Sequence, residues 1–188
     1  MKKLFFSALT ICLSSFAFSQ NFMHGVGVNT FIQSAGGFST QVVGGLTYSP
    51  RISFMETDNS SLSVGIPMSI GVSASTNTSY DGSTSAALMF DAPLMLNYNY
   101  GAGSSKETES RFGFFAGAGF GYHTSEYSFS DAYGDDSEKM SGFGPVGNAG
   151  IRIGVGNGSH NIEIRLSYMK TMDVSKSNIF GIGGIFNF

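Results

Sequence analysis

The sequence predicts an all-β protein, an eight-stranded antiparallel up-and-down transmembrane β-barrel. Three observations carry that expectation. Large apolar residues recur at every second position in successive runs from Phe22 to Phe188, as they do in strands with one apolar face. Only 12% of the 188 residues are charged, about half the roughly 25% of a water-soluble domain, while Gly (26) and Phe (18) are abundant. No stretch approaches the roughly 18 uninterrupted apolar residues of a membrane-crossing helix.

Residues 1–20 read as a secretory signal peptide, leaving 21–188 for the barrel. Lys2 and Lys3 give the positive start, and Leu4 to Phe18 form a short apolar run diluted by Ser7, Thr10, Ser14 and Ser15. Ala17-Phe18-Ser19 supplies small residues for a cut after Ser19 or Gln20. The run is too short for an anchor helix, and Cys12 lies mid-run rather than at a lipoprotein cleavage point. Cleavage removes the single Cys, so the exported chain has no thiol or disulfide chemistry. It also removes Lys2 and Lys3, leaving eight basic residues against 13 acidic ones, a charge of −5 with His neutral. That balance argues against a nucleic-acid surface.

Eight strands are expected in order. The first two fall at 22–33 and 38–55. The third, 61–75, alternates most clearly: Leu62, Val64, Ile66, Met68, Ile70 and Val72 against Ser63, Gly65, Pro67, Ser69, Gly71 and Ser73. The fourth, 85–100, sets Leu88, Phe90, Ala92, Leu94, Leu96, Tyr98 and Tyr100 against Met89, Asp91, Pro93, Met95, Asn97 and Asn99. The fifth, 110–127, carries Phe112, Phe114, Ala116, Ala118, Phe120 and Tyr122 on one face. The sixth covers 141–156. The seventh, 160–172, places Ile162, Ile164, Leu166 and Tyr168 opposite Asn161, Glu163, Arg165 and Ser167. The eighth, 177–188, ends the chain with Phe180, Ile182, Gly184, Phe186 and Phe188. Pro67, Pro93 and Pro145 each remove a ladder donor, and bulges are expected there.

The apolar face belongs on the outside. Turned inward, the large residues would crowd an eight-stranded barrel, whose interior is just wide enough to be filled by side chains. The exterior would then be Gly and Ser with too few charges. Turned to lipid, the same face is satisfied, and closure pairs every edge, as hydrocarbon requires. An even strand number puts both termini on the periplasmic side, with inner turns 56–60, 101–109 and 157–159. The outer loops are then 34–37, 76–84, 128–140 and 173–176. Aromatics gather in two girdles: Tyr48, Phe54, Tyr98, Tyr100, Phe112, Phe186 and Phe188 at the inner end, and Tyr122, Tyr127, Phe143 and Tyr168 at the outer.

The stretch Phe90-Asp91-Ala92-Pro93-Leu94-Met95-Leu96-Asn97-Tyr98, a polar turn, and then Phe112-Gly113-Phe114-Phe115-Ala116-Gly117-Ala118-Gly119 resembles the outer-membrane β-barrel domain family of Gram-negative bacteria, in its small eight-stranded form. The motif covers about thirty residues, and the pattern covers the exported chain. The terminal Phe188, with Phe186, Ile182 and Phe180 at alternate positions, is similar to the signal read by the barrel-assembly machinery. The resemblance implies a cell outer-membrane location, with outer-membrane lipids and that machinery as partners. It implies little about activity.

Asn157-Gly158 is the strongest hairpin signal, favouring a two-residue turn. It sets Arg152 opposite Glu163 and Arg165 opposite Gly150, all facing inward. An interior polar network of Arg152, Glu163, Arg165, Arg51 and Asp91 is therefore expected. Such a network either neutralises buried charge and fixes register or lines a narrow conduit, and in so small a barrel the first reading is favoured. Gly142-x-Gly144-x-x-Gly147 matches a dinucleotide fingerprint but lacks its strand–turn–helix setting. Asp131, Asp135, Asp136 and Glu138 make the third outer loop acidic without EF-hand spacing. His24, His123 and His160 lack metal-ligand spacing, and His123 with Ser125 and Glu126 shows no nucleophile elbow. The expectation is a structural or surface-interaction protein, porin-like in form. It would have no catalytic, cofactor or metal site, and its surface or envelope partner is unidentified. A narrow solute pore is the main alternative, and a lipid-modifying enzyme a lesser one.

Overall fold

The computed structural model describes residues 21–34, 40–76, 84–131, 134–156, 160–173 and 176–188. The side chains of 73–76, 84–87, 127–131 and 134–138 fall outside that description, as do residues 1–20, where the signal peptide is expected, and Asn157-Gly158, where the hairpin turn is expected. Eleven ladder segments compose eight strands. Strand β1 is Asn21–Met23 with Gly25–Ser34, β2 is Gln41–Tyr48 with Arg51–Phe54, and β3 is Ser60–Gly65 with Met68–Thr76. Then come β4 (Thr84–Gly101), β5 (Phe112–Asp131), β6 (Gly134–Gly154), β7 (Asn161–Lys170) and β8 (Asn178–Asn187). No helix occurs among the described residues.

Each strand pairs antiparallel with the next, and β8 returns to β1, so the sheet closes. The pairing can be followed around the wall. Asn21 faces Ser53, which faces Ser63, then Asn97, Gly117, Asn148, Ser167 and Gly181, and Gly181 faces Phe31. The circuit returns to β1 ten residues along the chain, a shear that tilts eight strands by about 40° from the barrel axis. Those ring positions are mostly Asn, Ser and Gly, small enough for the inner side of a narrow tube.

Outside, the large residues form a continuous belt. Leu46, Ile70, Leu88, Leu94, Phe120, Leu166 and Ile182 are each at least half exposed. In water such a surface would drive aggregation, whereas in a bilayer it is the solvated face. The near-end girdle, on the side holding Asn21 and Phe188, includes Tyr48, Tyr98, Tyr100, Phe112 and Phe186. Far-end pairs are Tyr122 with Phe143 and Tyr168 with Phe180, at 4.8 and 4.7 Å between ring centroids.

Two expectations are corrected. The third outer loop, expected at 128–140, is a strand hairpin: β5 and β6 stay paired to Asp131 opposite Gly134. Leaving the membrane does not end a ladder whose register is already set, and the β5–β6 register runs unchanged from Phe112 to Asp131. The bulges expected at Pro67, Pro93 and Pro145 are not there. The same register continues on both sides of each proline. At Pro67 the ladder simply pauses, and so it does at Pro50. Flanking bonds from Ser49 N to Gly25 O (2.7 Å) and from Ile66 N to Pro50 O (3.1 Å) hold the alignment, while Pro93 and Pro145 remain within their strands opposite Gly121 and Phe120.

Candidate functional site

The lumen is the site, and Glu163 is its centre. Strand β7 turns Glu163 and Arg165 inward two residues apart, β6 places Arg152 directly across from Glu163, and β2 contributes Arg51 from farther round the wall. Arg152 Nε donates to Glu163 Oε2 at 2.8 Å, and Arg51 Nη1 donates to the same oxygen at 3.2 Å. Arg165 Nε donates to Oε1 at 2.7 Å. The outer donors are spread among neighbours: Arg152 Nη1 to Asn99 Oδ1 (2.8 Å), Arg165 Nη2 to Ser49 Oγ (3.2 Å) and Arg51 Nη2 to the Gly103 carbonyl (3.3 Å). All four charged side chains are buried. One carboxylate thus holds three guanidinium groups, with Arg152 also lying 4.4 Å over the Phe115 ring, a cation–π contact. Gly150 makes that contact possible, because a Cβ there would sit 2.6 Å from the Phe115 ring.

The near-end turn after β4 completes the cluster. Its first residues, Gly101 to Ser105, are buried, so the chain dips into the barrel mouth rather than arching away. Gly103 takes φ +72°, and a Cβ there would meet Asn161 Nδ2 at 2.5 Å, so glycine is required on both counts. Ser105 Oγ donates to the Asp58 carbonyl at 3.2 Å. The segment 101–109, long for an inner turn, is long because part of it stoppers the lumen.

Toward the far end the interior becomes apolar. Phe31, Val43, Met89, Met95, Val146, Met169 and Ile179 pack together in the tube. The alternation puts Met89 and Met95 on the inward face among Asp91, Pro93, Asn97 and Asn99. Flexible Met fills irregular space, and these seven larger side chains at inward positions were the signal available. Asp91 is inside but does not join the arginines. Its Oδ1 lies 3.1 Å from Nδ1 of buried His123, on the facing strand. His123 and Ser125 point inward while Glu126 is exposed, so those three share no face, and Ser125 Oγ donates to Gln33 Oε1 at 3.1 Å. Among the described residues no group of three His, Cys, Asp or Glu could hold a metal. The acidic side chains Asp131, Asp135, Asp136 and Glu138 lie outside the described residues. The glycine triad 142, 144 and 147 falls within the β5–β6 ladder.

Phe180, Ile182, Phe186 and Phe188 are all exposed on the lipid side. Phe188 also closes the wall, exchanging backbone hydrogen bonds with His24 at 2.8 and 2.9 Å, and their rings stack at 5.6 Å.

No protein-family model and no curated protein matches the sequence. Solved structures do. The attachment invasion locus protein Ail of Yersinia pestis, in complex with the heparin analogue sucrose octasulfate, superposes with a TM-score of 0.56 at 10% identity, covering 90% of this chain and 98% of that one. Neisserial surface protein A gives a TM-score of 0.54 at 10% identity, covering 90% and 97%. The fold is that of a small outer-membrane β-barrel. The exposed apolar belt is the surface such a barrel turns to lipid.

Proposed function

We propose that the protein is a small integral outer-membrane barrel with a structural or surface-interaction role, neither a pore nor an enzyme. The observation that carries this is the filled lumen. The inward turn Gly101–Ser105, the Glu163 cluster and the apolar layer around Met89 and Met95 lie one after another along the tube. Ions crossing it would have to break a buried charge network and then shed water against Phe and Met. The separation of His123 and Ser125 from Glu126 supports a non-catalytic reading.

With the near end in the periplasm, the β5–β6 hairpin becomes the main contact element outside the cell. Exposed Glu126 and Lys139 face each other across it just beyond the Tyr122–Phe143 pair, and the ladder continues five pairs further. A surface role is also in keeping with the names of the two structural neighbours, one an attachment protein solved with a heparin analogue and the other a surface protein. Purified protein in planar bilayers is expected to stay electrically silent. Reproducible conductance steps would replace this reading with the solute pore, and altered lipid species in a deletion strain would favour the lipid-modifying enzyme.

A further inference from the structure

We infer that the lumen contains a buried water site between Arg165 and Asp91, which joins the Glu163 cluster and the Asp91–His123 pair into one hydrogen-bonded chain. A cavity of about 30 Å³ lies between them, its polar wall made of Asn29, Ser69, Asp91, Asn148, Arg165 and Ser167. Arg165, Asn148 and Asp91 are each at most 8% exposed. Arg165 Nη1 has no hydrogen-bond partner among the protein's own groups, nor does Asn148 Oδ1. A buried guanidinium N–H and a buried amide oxygen each carry a desolvation cost when unpaired.

The donors and acceptors select the occupant. A halide would satisfy Arg165 but face the Asp91 carboxylate and leave the Asn148 oxygen unpaired. A cation would suit Asp91 and Asn148 but meet the Arg165 guanidinium. Water both accepts and donates, so it can accept a hydrogen bond from Arg165 Nη1–H and donate its own to the Asp91 carboxylate and to Asn148 Oδ1. The space suffices, since a water needs roughly 10–15 Å³ of such volume and two to four polar partners. The orientation of Asp91 toward His123 rather than toward an arginine follows: across the cavity its link to Arg165 is indirect.

Crystals of the intact protein grown with bromide test this directly. The expected result is water density within hydrogen-bond reach of Arg165 Nη1 and of Asp91 or Asn148, with no anomalous bromide signal there. A bromide peak beside Arg165, or a cavity without density, would overturn the inference. A double-mutant cycle of Arg165→Met and Asp91→Asn supplies a second readout. The two effects on the folding equilibrium should be coupled about fivefold although the side chains do not touch. Additivity within twofold contradicts the bridge.

Discussion

Glu163 is the residue on which the interior depends. Three guanidinium groups converge on its two oxygens, and no other carboxylate within the described lumen bonds them. Removing one partner of a buried charge pair typically costs about 3–5 kcal/mol, because the remaining charge is left uncompensated. Glu163→Gln should therefore destabilise the folded barrel by about that much in urea titrations followed by circular dichroism. Arg152→Met should cost less, since Arg51 and Arg165 continue to balance the carboxylate. Equal effects from the two would mean the cluster contributes packing rather than charge balance. At this scale the sequence was only partly legible. Arg152 and Glu163 can be set opposite one another because the turn expected at Asn157-Gly158 gives a register locally, and the β6–β7 ladder has that register. Arg51 lies 112 positions from Glu163 in the chain; its inward face in the expected network was legible, but its bond to Glu163 depends on the shear of the whole barrel, which no local turn encodes. Asp91 and His123 are directly opposed in the neighbouring β4–β5 ladder, and their pairing was missed because the long connection after Gly101 carries no short turn signal that sets its register.

The strands themselves were legible because their two faces differ so sharply. Lipid on one side and a narrow lumen on the other force strict alternation, as in Ile162, Glu163, Ile164, Arg165 and Leu166. Strand ends were less so, because the β5–β6 ladder outlasts the apolar belt and nothing in Ser128 to Asp131 marks where pairing stops. The prolines misled for a physical reason: lost donors are tolerated where flanking bonds already fix alignment, with no extra residue needed. Register is open to measurement. Asn148→Cys with Ser167→Cys, directly opposed in the β6–β7 ladder, should oxidise to a disulfide. Val146→Cys with Ser167→Cys should not, and the reverse outcome would shift the register by two. The final strand invites a different test. Its apolar positions face outward and Phe188 helps close the wall onto His24. Deleting Phe188 should lower the yield of assembled protein in cells several-fold while leaving refolding into detergent micelles largely intact. An equal loss in both would assign Phe188 to closure alone, without a role in recognition by the assembly machinery.

For the whole molecule, one inversion explains the composition. A water-soluble protein buries its large apolar residues and shows charge to solvent; here Leu, Ile, Val and Phe cover the exterior and the buried ions sit in the tube. The low charge content, the abundant Gly and the alternating Phe are consequences of having lipid as the outer solvent and too little room inside. The lumen then has to be filled by whatever the eight strands and one inward turn provide. Spin labels placed one at a time along β7, in protein reconstituted into lipid vesicles, test that inversion most directly. Labels replacing Ile162, Ile164, Leu166 and Tyr168 should be readily reached by oxygen and poorly by a water-soluble nickel relaxant. Those replacing Asn161 and Ser167 should be shielded from both. Nickel access to the first set, or oxygen access confined to the second, would contradict the account.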